Sequence, residues 1–172
     1  TGEGDKPSRY LVRPDYPGRD TAPPQVLRGD PAMTRALIDS IERRWKFTSG
    51  VLSWHPDEKI SEEQEEEVMN AFEQVAFAGL EADQRNILWV RHTHAGHHEL
   101  HFLIPRLELS SGRDFNACPP GWQKDFDVFR DLFNWREGWA RPDDPARARD
   151  ELPKKADLFK ARMARWGKEI RE

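Results

Sequence analysis

An α+β fold, with an antiparallel β-sheet and helices packed mainly on one of its faces, is what this sequence predicts. Three observations carry that expectation. Two amphipathic helical stretches alternate with runs of β-branched and aromatic residues. The runs "NILWVRHTH" and "HELHFLIPRLEL" are separated only by the short turn "AGH", so they pair as an antiparallel hairpin. A further helical stretch follows the hairpin, and the order helix, strand, helix, hairpin, helix contains no parallel crossover unit.

The elements are justified in turn along the chain. The first thirty residues are rich in Gly, Pro, Arg and Asp with short apolar touches, and read as loop with one turn of helix. A helix then begins at Asp30, a good N-cap, with Pro31 at the first helical position. Met33, Leu37, Ile38 and Ile41 follow at helical spacing toward Trp45. "KFTSGVLSW" reads as a strand ending before His55 and Pro56. Ser61 and Gln64 form a capping box for a second helix, whose buried stripe is Val68, Met69, Phe72, Val75 and Ala76. The hairpin follows with Gly96 in its turn. After the loop "SSGRDFNACPPGW", a third helix carries Phe126, Phe129, Leu132 and Phe133 and stops near Gly138. One domain is expected over residues 1–144, with a basic amphipathic helical extension over 145–172.

Composition narrows the function. The 172 residues are 37% hydrophobic and 34% charged, a globular balance able to bury a core without staples, and no apolar run approaches membrane-spanning length. The single cysteine, Cys118, excludes an intrachain disulfide and cysteine-based zinc modules, agrees with a reducing cytoplasm and reads as an ordinary loop thiol. Net charge is −4, but the stretch from His55 to Arg85 holds ten acidic and two basic residues, so the rest of the chain sums to +4. That acidity is one solvated helix face and leaves the remainder free to meet phosphates. The chain opens on Thr1 rather than Met, so it is expected to be a piece of a longer protein.

The stretch "VRHTHAGHHELHFLIP" places five of the six histidines within ten residues. On an extended strand Glu99 and His101 share one face while Leu100, Phe102 and Ile104 occupy the other. His92 lies on the partner strand, where cross-strand neighbours approach to about 5 Å, so His92, Glu99 and His101 can converge on one divalent cation. His94, His97 and His98 fall at the turn or on alternate faces, where solvated histidines are expected. Paired histidines four apart on a helix, the zinc-hydrolase pattern, are not present.

With those residues in view, the sequence resembles the plasmid mobilization relaxases, and most closely the colicin-plasmid subgroup with a His-Glu-Asn metal signature. The spacing His92-x-His94, four residues, then Glu99-x-His101 is similar to the family's His-x-Asp and His-x-His pair. Here His94 stands in the aspartate's place and His101 where the subgroup has asparagine. The flanks "NILWVRHT", "ELHFLIPRLELSSGR" and "LRGDPAMTRALIDS" also resemble the subgroup, which extends the likeness over roughly residues 2–144. The resemblance implies a relaxase or rolling-circle nuclease fold, and strand-specific nicking of DNA at a plasmid origin of transfer. A tyrosine nucleophile would form a 5′-phosphotyrosyl link. "GEGDKPSRYLV" puts Tyr10 at the family's nucleophile position, with Tyr16 as the rival.

The same resemblance assigns His92, Glu99 and His101 to one metal ion, Mn²⁺ or Mg²⁺, with Zn²⁺ or Ni²⁺ able to enter on purification. His94 becomes a partner orienting His92. DNA contacts are expected from Arg9, Arg13, Arg28 and Arg113, and stacking on unpaired bases from Trp54 and Trp122. Implied partners are single-stranded or unwound origin DNA and accessory mobilization proteins, in the bacterial cytoplasm and without membrane contact from this domain. Family members have a strand before the Gly-rich loop and continue past the domain. Two alternatives stay open at this point: a replication initiator or transposase of the same histidine-motif superfamily, and a non-catalytic origin-binding repressor whose histidines hold a structural ion.

Overall fold

The computed structural model of the chain describes residues 4–141, 143 and 144, so the basic helix expected over 145–172 lies outside the described residues. A compact unit ends at Ala140 and a second begins at Arg141. The first unit is built from α1 (Asp5–Val12), β1 (Gln25–Arg28), α2 (Pro31–Ser40), β2 (Phe47–Ser53), α3 (Glu62–Ala76), β3 (Leu88–His92), β4 (Glu99–Pro105) and α4 (Gln123–Glu137). A short 3₁₀ turn over Ala82–Gln84 precedes β3. Among the described residues, no helix is long and apolar enough to cross a membrane.

The four strands form one antiparallel sheet in the order β1-β3-β4-β2. The β3–β4 hairpin is therefore central, which suits strands with such apolar faces. Leu88, Trp89, Val90, Leu100 and Leu103 are all fully buried. Alternation sorts their side chains onto two faces. Trp89, Leu100, Phe102 and Ile104 meet Met69, Phe72 and Ala76 of α3, with Phe126 and Phe129 of α4 packed against the same cluster. On the opposite face Leu88, Val90 and Leu103 meet Leu11 of α1 and Ile38 of α2. The two long helices thus share one face, and the two short ones cover the other.

Local signals account for most boundaries. The Asp30 side chain accepts from the Met33 amide and starts α2. Ser61 and Gln64 form the expected capping box on α3. Gly138, at φ +70°, takes the left-handed conformation that ends α4, a position where an L side chain would be strained. Gly50 sits opposite Phe102, and a Cβ there would come within 2.5 Å of that ring, so the strand needs glycine for space.

Three expectations about the elements are corrected. The first thirty residues hold more regular structure than one turn of helix: the eight-residue α1 and the edge strand β1. Pro7 lies in α1's first turn, where its missing N–H costs nothing, and β1 shows no period of two because Val26 is 44% exposed at the sheet's edge. Helix α2 ends at Ser40 rather than running toward Trp45, because Ile41 turns extended to enter the core while Trp45 stays exposed. Leu132 is also exposed, not part of the buried stripe of α4.

Candidate metal centre and tyrosine helix

The site grows from the hairpin. His92 ends β3 and pairs with Glu99, the first residue of β4, while His101 pairs with Val90, so all three side chains project from the face that carries α1 and α2. One ligand atom from each of His92, Glu99 and His101 lies within 4.8 Å of the others. The His92 and His101 rings stand 4.3 Å apart between centroids. Two imidazoles and a carboxylate are a borderline donor set suited to a divalent first-row metal or magnesium. With metal–ligand bonds of about 2.0–2.2 Å, donors around one ion sit up to roughly 4 Å apart, so this cluster needs only a sub-ångström closure to fit one.

Electrostatics favour ligation. Burial pushes the His92 imidazole down to about 4, aided by the nearby His101, Arg19 and His94, against a hydrogen bond to the Leu11 carbonyl that raises it. His92 is therefore neutral at physiological pH, the form in which imidazole ligates. Burial alone would raise the Glu99 carboxyl, but hydrogen bonds from His101 at 3.1 Å and His97 at 2.9 Å outweigh it and hold the group below the usual carboxylate range.

Across from the triad stands the C-terminus of α1. The His92 Nε2–H donates to the Leu11 carbonyl at 2.8 Å. Arg19, only 1% exposed, reaches back from the following loop. Its Nη1 donates to the carbonyls of Tyr10 at 2.6 Å and Arg13 at 3.1 Å, and its Nη2 lies 3.3 Å from His92 Nδ1. Its guanidinium carbon sits 5.0 Å from the Tyr10 ring centroid and 4.9 Å from that of Tyr16. The two tyrosine rings meet edge to face at 5.7 Å, and each is partly exposed. Tyr16 packs edge to face on His94, and Tyr10 is linked to the cluster through Arg19 and the neighbouring Leu11 carbonyl.

Each remaining residue picked out in the sequence has a definite place. The His94 ring packs edge to face on both His92 and Tyr16, and its Nδ1 is buried without a hydrogen-bond partner. Arg9 is exposed on α1, and Arg13 leans over the Tyr16 ring at 5.5 Å. Arg113 is exposed on the loop after β4. The Arg28 guanidinium pairs with the carboxylates of Glu66 and Glu73 and ties β1 to α3. Trp54 packs edge to face on Trp139 and His98, whereas Trp122 is 39% exposed. Cys118 is half-buried, and burial pushes its thiol up.

Sequence reasoning missed four participants. Arg19 carried no signal, because a lone arginine in a Gly- and Asp-rich loop looks solvated. His97 was expected to be solvated but bonds Glu99 from the bend that precedes β4. His98, also expected in solvent, contacts Glu65 at 2.5 Å, and Glu65 is itself 3% exposed and ion-paired to Arg91 at 2.9 Å. The acidic stretch is thus not wholly a solvated face.

The relaxase family described as MobA/VirD2-like, nuclease domain matches residues 32–134, which include the His92, Glu99 and His101 cluster but not Tyr10, Tyr16 or Arg19. The chain is 40% identical over 160 residues to cryptic plasmid protein C of Neisseria gonorrhoeae, a match covering 91% of this chain and 75% of that protein. It is 35% identical over 158 residues to DNA relaxase MbeA of Escherichia coli, covering 88% of this chain and 30% of that protein. No solved structure matches the chain. The chain therefore belongs to the relaxase family of plasmid-mobilization enzymes, by its MobA/VirD2-like nuclease domain.

Proposed function

We propose that this domain nicks one strand of DNA at an origin of transfer, with Tyr10 as nucleophile and with His92, Glu99 and His101 holding one divalent cation. The observation that carries the reading is the meeting of three ligand atoms within 4.8 Å at a histidine that is hydrogen-bonded to the residue following Tyr10. When bound, a cation there supplies positive charge to the nonbridging oxygens of the scissile phosphate.

The residues perform the rest. Glu99, ionised and gripped by two imidazoles, contributes the negative ligand, while neutral His92 contributes a nitrogen lone pair and His101 a second imidazole nitrogen. Both nitrogens of His92 already have partners, so ligation exchanges one of those contacts for the ion. The phenol oxygen of Tyr10 bonds to phosphorus as the bond to the 3′ oxygen breaks. The phenolic proton leaves, and the departing 3′ oxygen takes one up as a hydroxyl. The phosphate stays as a diester to the tyrosine, so the 3′-hydroxyl can reverse the step without other input. Placement on the helix whose carbonyls bond His92 and Arg19 favours Tyr10 over Tyr16. His94 takes the aspartate's orienting place through its ring contact with His92.

Mn²⁺ or Mg²⁺ is the working metal, with Zn²⁺ or Ni²⁺ as purification occupants. Arg9, Arg13 and Arg113 contact phosphates, and exposed Trp122 stacks on an unpaired base. The substrate is single-stranded or unwound origin DNA, met in the bacterial cytoplasm with accessory mobilization proteins. The deciding experiment incubates the protein with an origin oligonucleotide and Mn²⁺ and resolves covalent adducts on denaturing gels. Tyr10→Phe should abolish the adduct and Tyr16→Phe should keep it. The reverse pattern reassigns the nucleophile, and an adduct that survives chelation removes the metal from the mechanism.

A further inference from the structure

Arg19 presents a problem in electrostatics. It is a guanidinium at 1% exposure, no carboxylate among the described residues touches it, and its Nε has no hydrogen-bond partner. Burying an uncompensated cation costs far more free energy than a neutral hydrogen bond returns, so its retention has to be explained by what it holds. What it holds is the end of α1. An eight-residue helix is marginal by itself, and its last carbonyls need donors. Arg19 supplies them to Tyr10 and Arg13, His92 supplies one to Leu11, and the cation sits at the helix's negative end. The same guanidinium determines the state of His92. Without an ion, arginine only donates, so Nδ1 offers it a lone pair, and a carbonyl only accepts, so Nε2 carries the proton; a cation would take over the Nδ1 lone pair from Arg19 while the Nε2–H bond to Leu11 stays.

We infer that Arg19 is a positioning residue for strand cleavage: it sets the tyrosine-bearing helix in register with His92 and holds that imidazole as its Nε2–H tautomer. The inference rests on the assignment of Tyr10 and His92 proposed above. Buried as it is, Arg19 does not contact DNA, so its loss acts on the chemical step rather than on DNA affinity. Lysine keeps the charge but lacks the planar fork that reaches two carbonyls and a ring nitrogen together.

The test uses the full chain with Arg19→Gln and Arg19→Lys, and two readouts. Single-turnover adduct formation with Mn²⁺ and an origin oligonucleotide should lose about 100-fold in rate at saturating DNA for R19Q. R19K should lose about tenfold, with the half-saturating DNA concentration of each variant within about threefold of the parent. Multiple-bond ¹⁵N–¹H spectra of the metal-free protein should show His92 as the pure Nε2–H tautomer in the parent and a tautomer mixture in both variants. Unchanged rates, a loss confined to DNA half-saturation, or an unchanged His92 tautomer in R19K would overturn the inference. Should R19Q fail to fold by circular dichroism, R19K decides alone. An adduct that persists in Tyr10→Phe would sink the nucleophile assignment, and the spectra would still judge the Arg19–His92 link. Loss of adduct in Tyr10→Phe beside normal Arg19 variants sinks only the inference about Arg19.

Discussion

The two faces of one sheet carry different burdens. Toward α3 and α4 the hairpin offers Trp89, Leu100, Phe102 and Ile104, and Phe72 sits among their rings at centroid distances of 5.1 Å from Trp89 and 4.6 Å from Phe102. Toward α1 and α2 the same strands begin as core, with Leu88, Val90 and Leu103, and then change character at the turn end into His92, Glu99 and His101. A strand's period of two lets a single hairpin do both, since what is placed on one face leaves the other free. The difference teaches that the aromatic face supplies rigidity while the mixed face trades part of its apolar burial for polar groups that hold one another.

Four measurements can break or sharpen this comparison, in descending order of effect. Phe72→Ala, on the aromatic face, should cost about 3–5 kcal/mol in denaturant unfolding, because a ring in contact with three others leaves a cavity. A loss below about 1 kcal/mol would show that this face is not the rigid one. His101→Ala, on the mixed face, should lower adduct formation at least about 100-fold, near 3 kcal/mol, while moving the denaturation midpoint far less than Phe72→Ala. Equal effects on stability would erase the distinction between the faces.

The third prediction is a pH dependence. His92 has its folded pKa at about 4, below the unfolded value of 6.5, so between those values the unfolded chain binds more protons. The contribution of the buried neutral imidazole is therefore whole above pH 6.5 and declines as pH falls toward 4, by about 3 kcal/mol in all. The depressed Glu99 adds a further loss as pH falls through its folded value. Melting temperatures of the metal-free protein should drop over this window, and His92→Gln should flatten the upper part of the slope. A slope unchanged in that variant would mean other groups carry it.

The smallest effect compares caps on the two faces. Asp30→Ala at the start of α2 and Ser61→Ala at the start of α3 should each cost about 1 kcal/mol. A larger cost for Asp30 would show that the mixed face, with shorter helices, depends more on local signals.

Much of the candidate site was legible because its parts are close in sequence. His92, Glu99 and His101 sit on one hairpin, so strand period and a short turn suffice to bring them together, whereas His97 lies in the bend before β4, where no period applies. Arg19 was not legible, because its partners are the carbonyls of α1 and a ring nitrogen 73 residues away. The pairing of Arg28 with Glu66 and Glu73 was not legible for a related reason, since it exists only once α3 is folded against β1.

By itself the sequence determined whatever depends on neighbours along the chain: the caps at Asp30 and Ser61, the stop at Gly138, the alternation of the hairpin and hence the clustering of His92, Glu99 and His101. Only the tertiary structure decided the existence of α1 and β1, the burial of Arg19 and Glu65, and the meeting of both tyrosines with Arg19. The physical reason is that short helices and edge strands have little stability of their own. Their conformation is chosen by the partners they meet, and those partners are set by packing between segments distant in the chain.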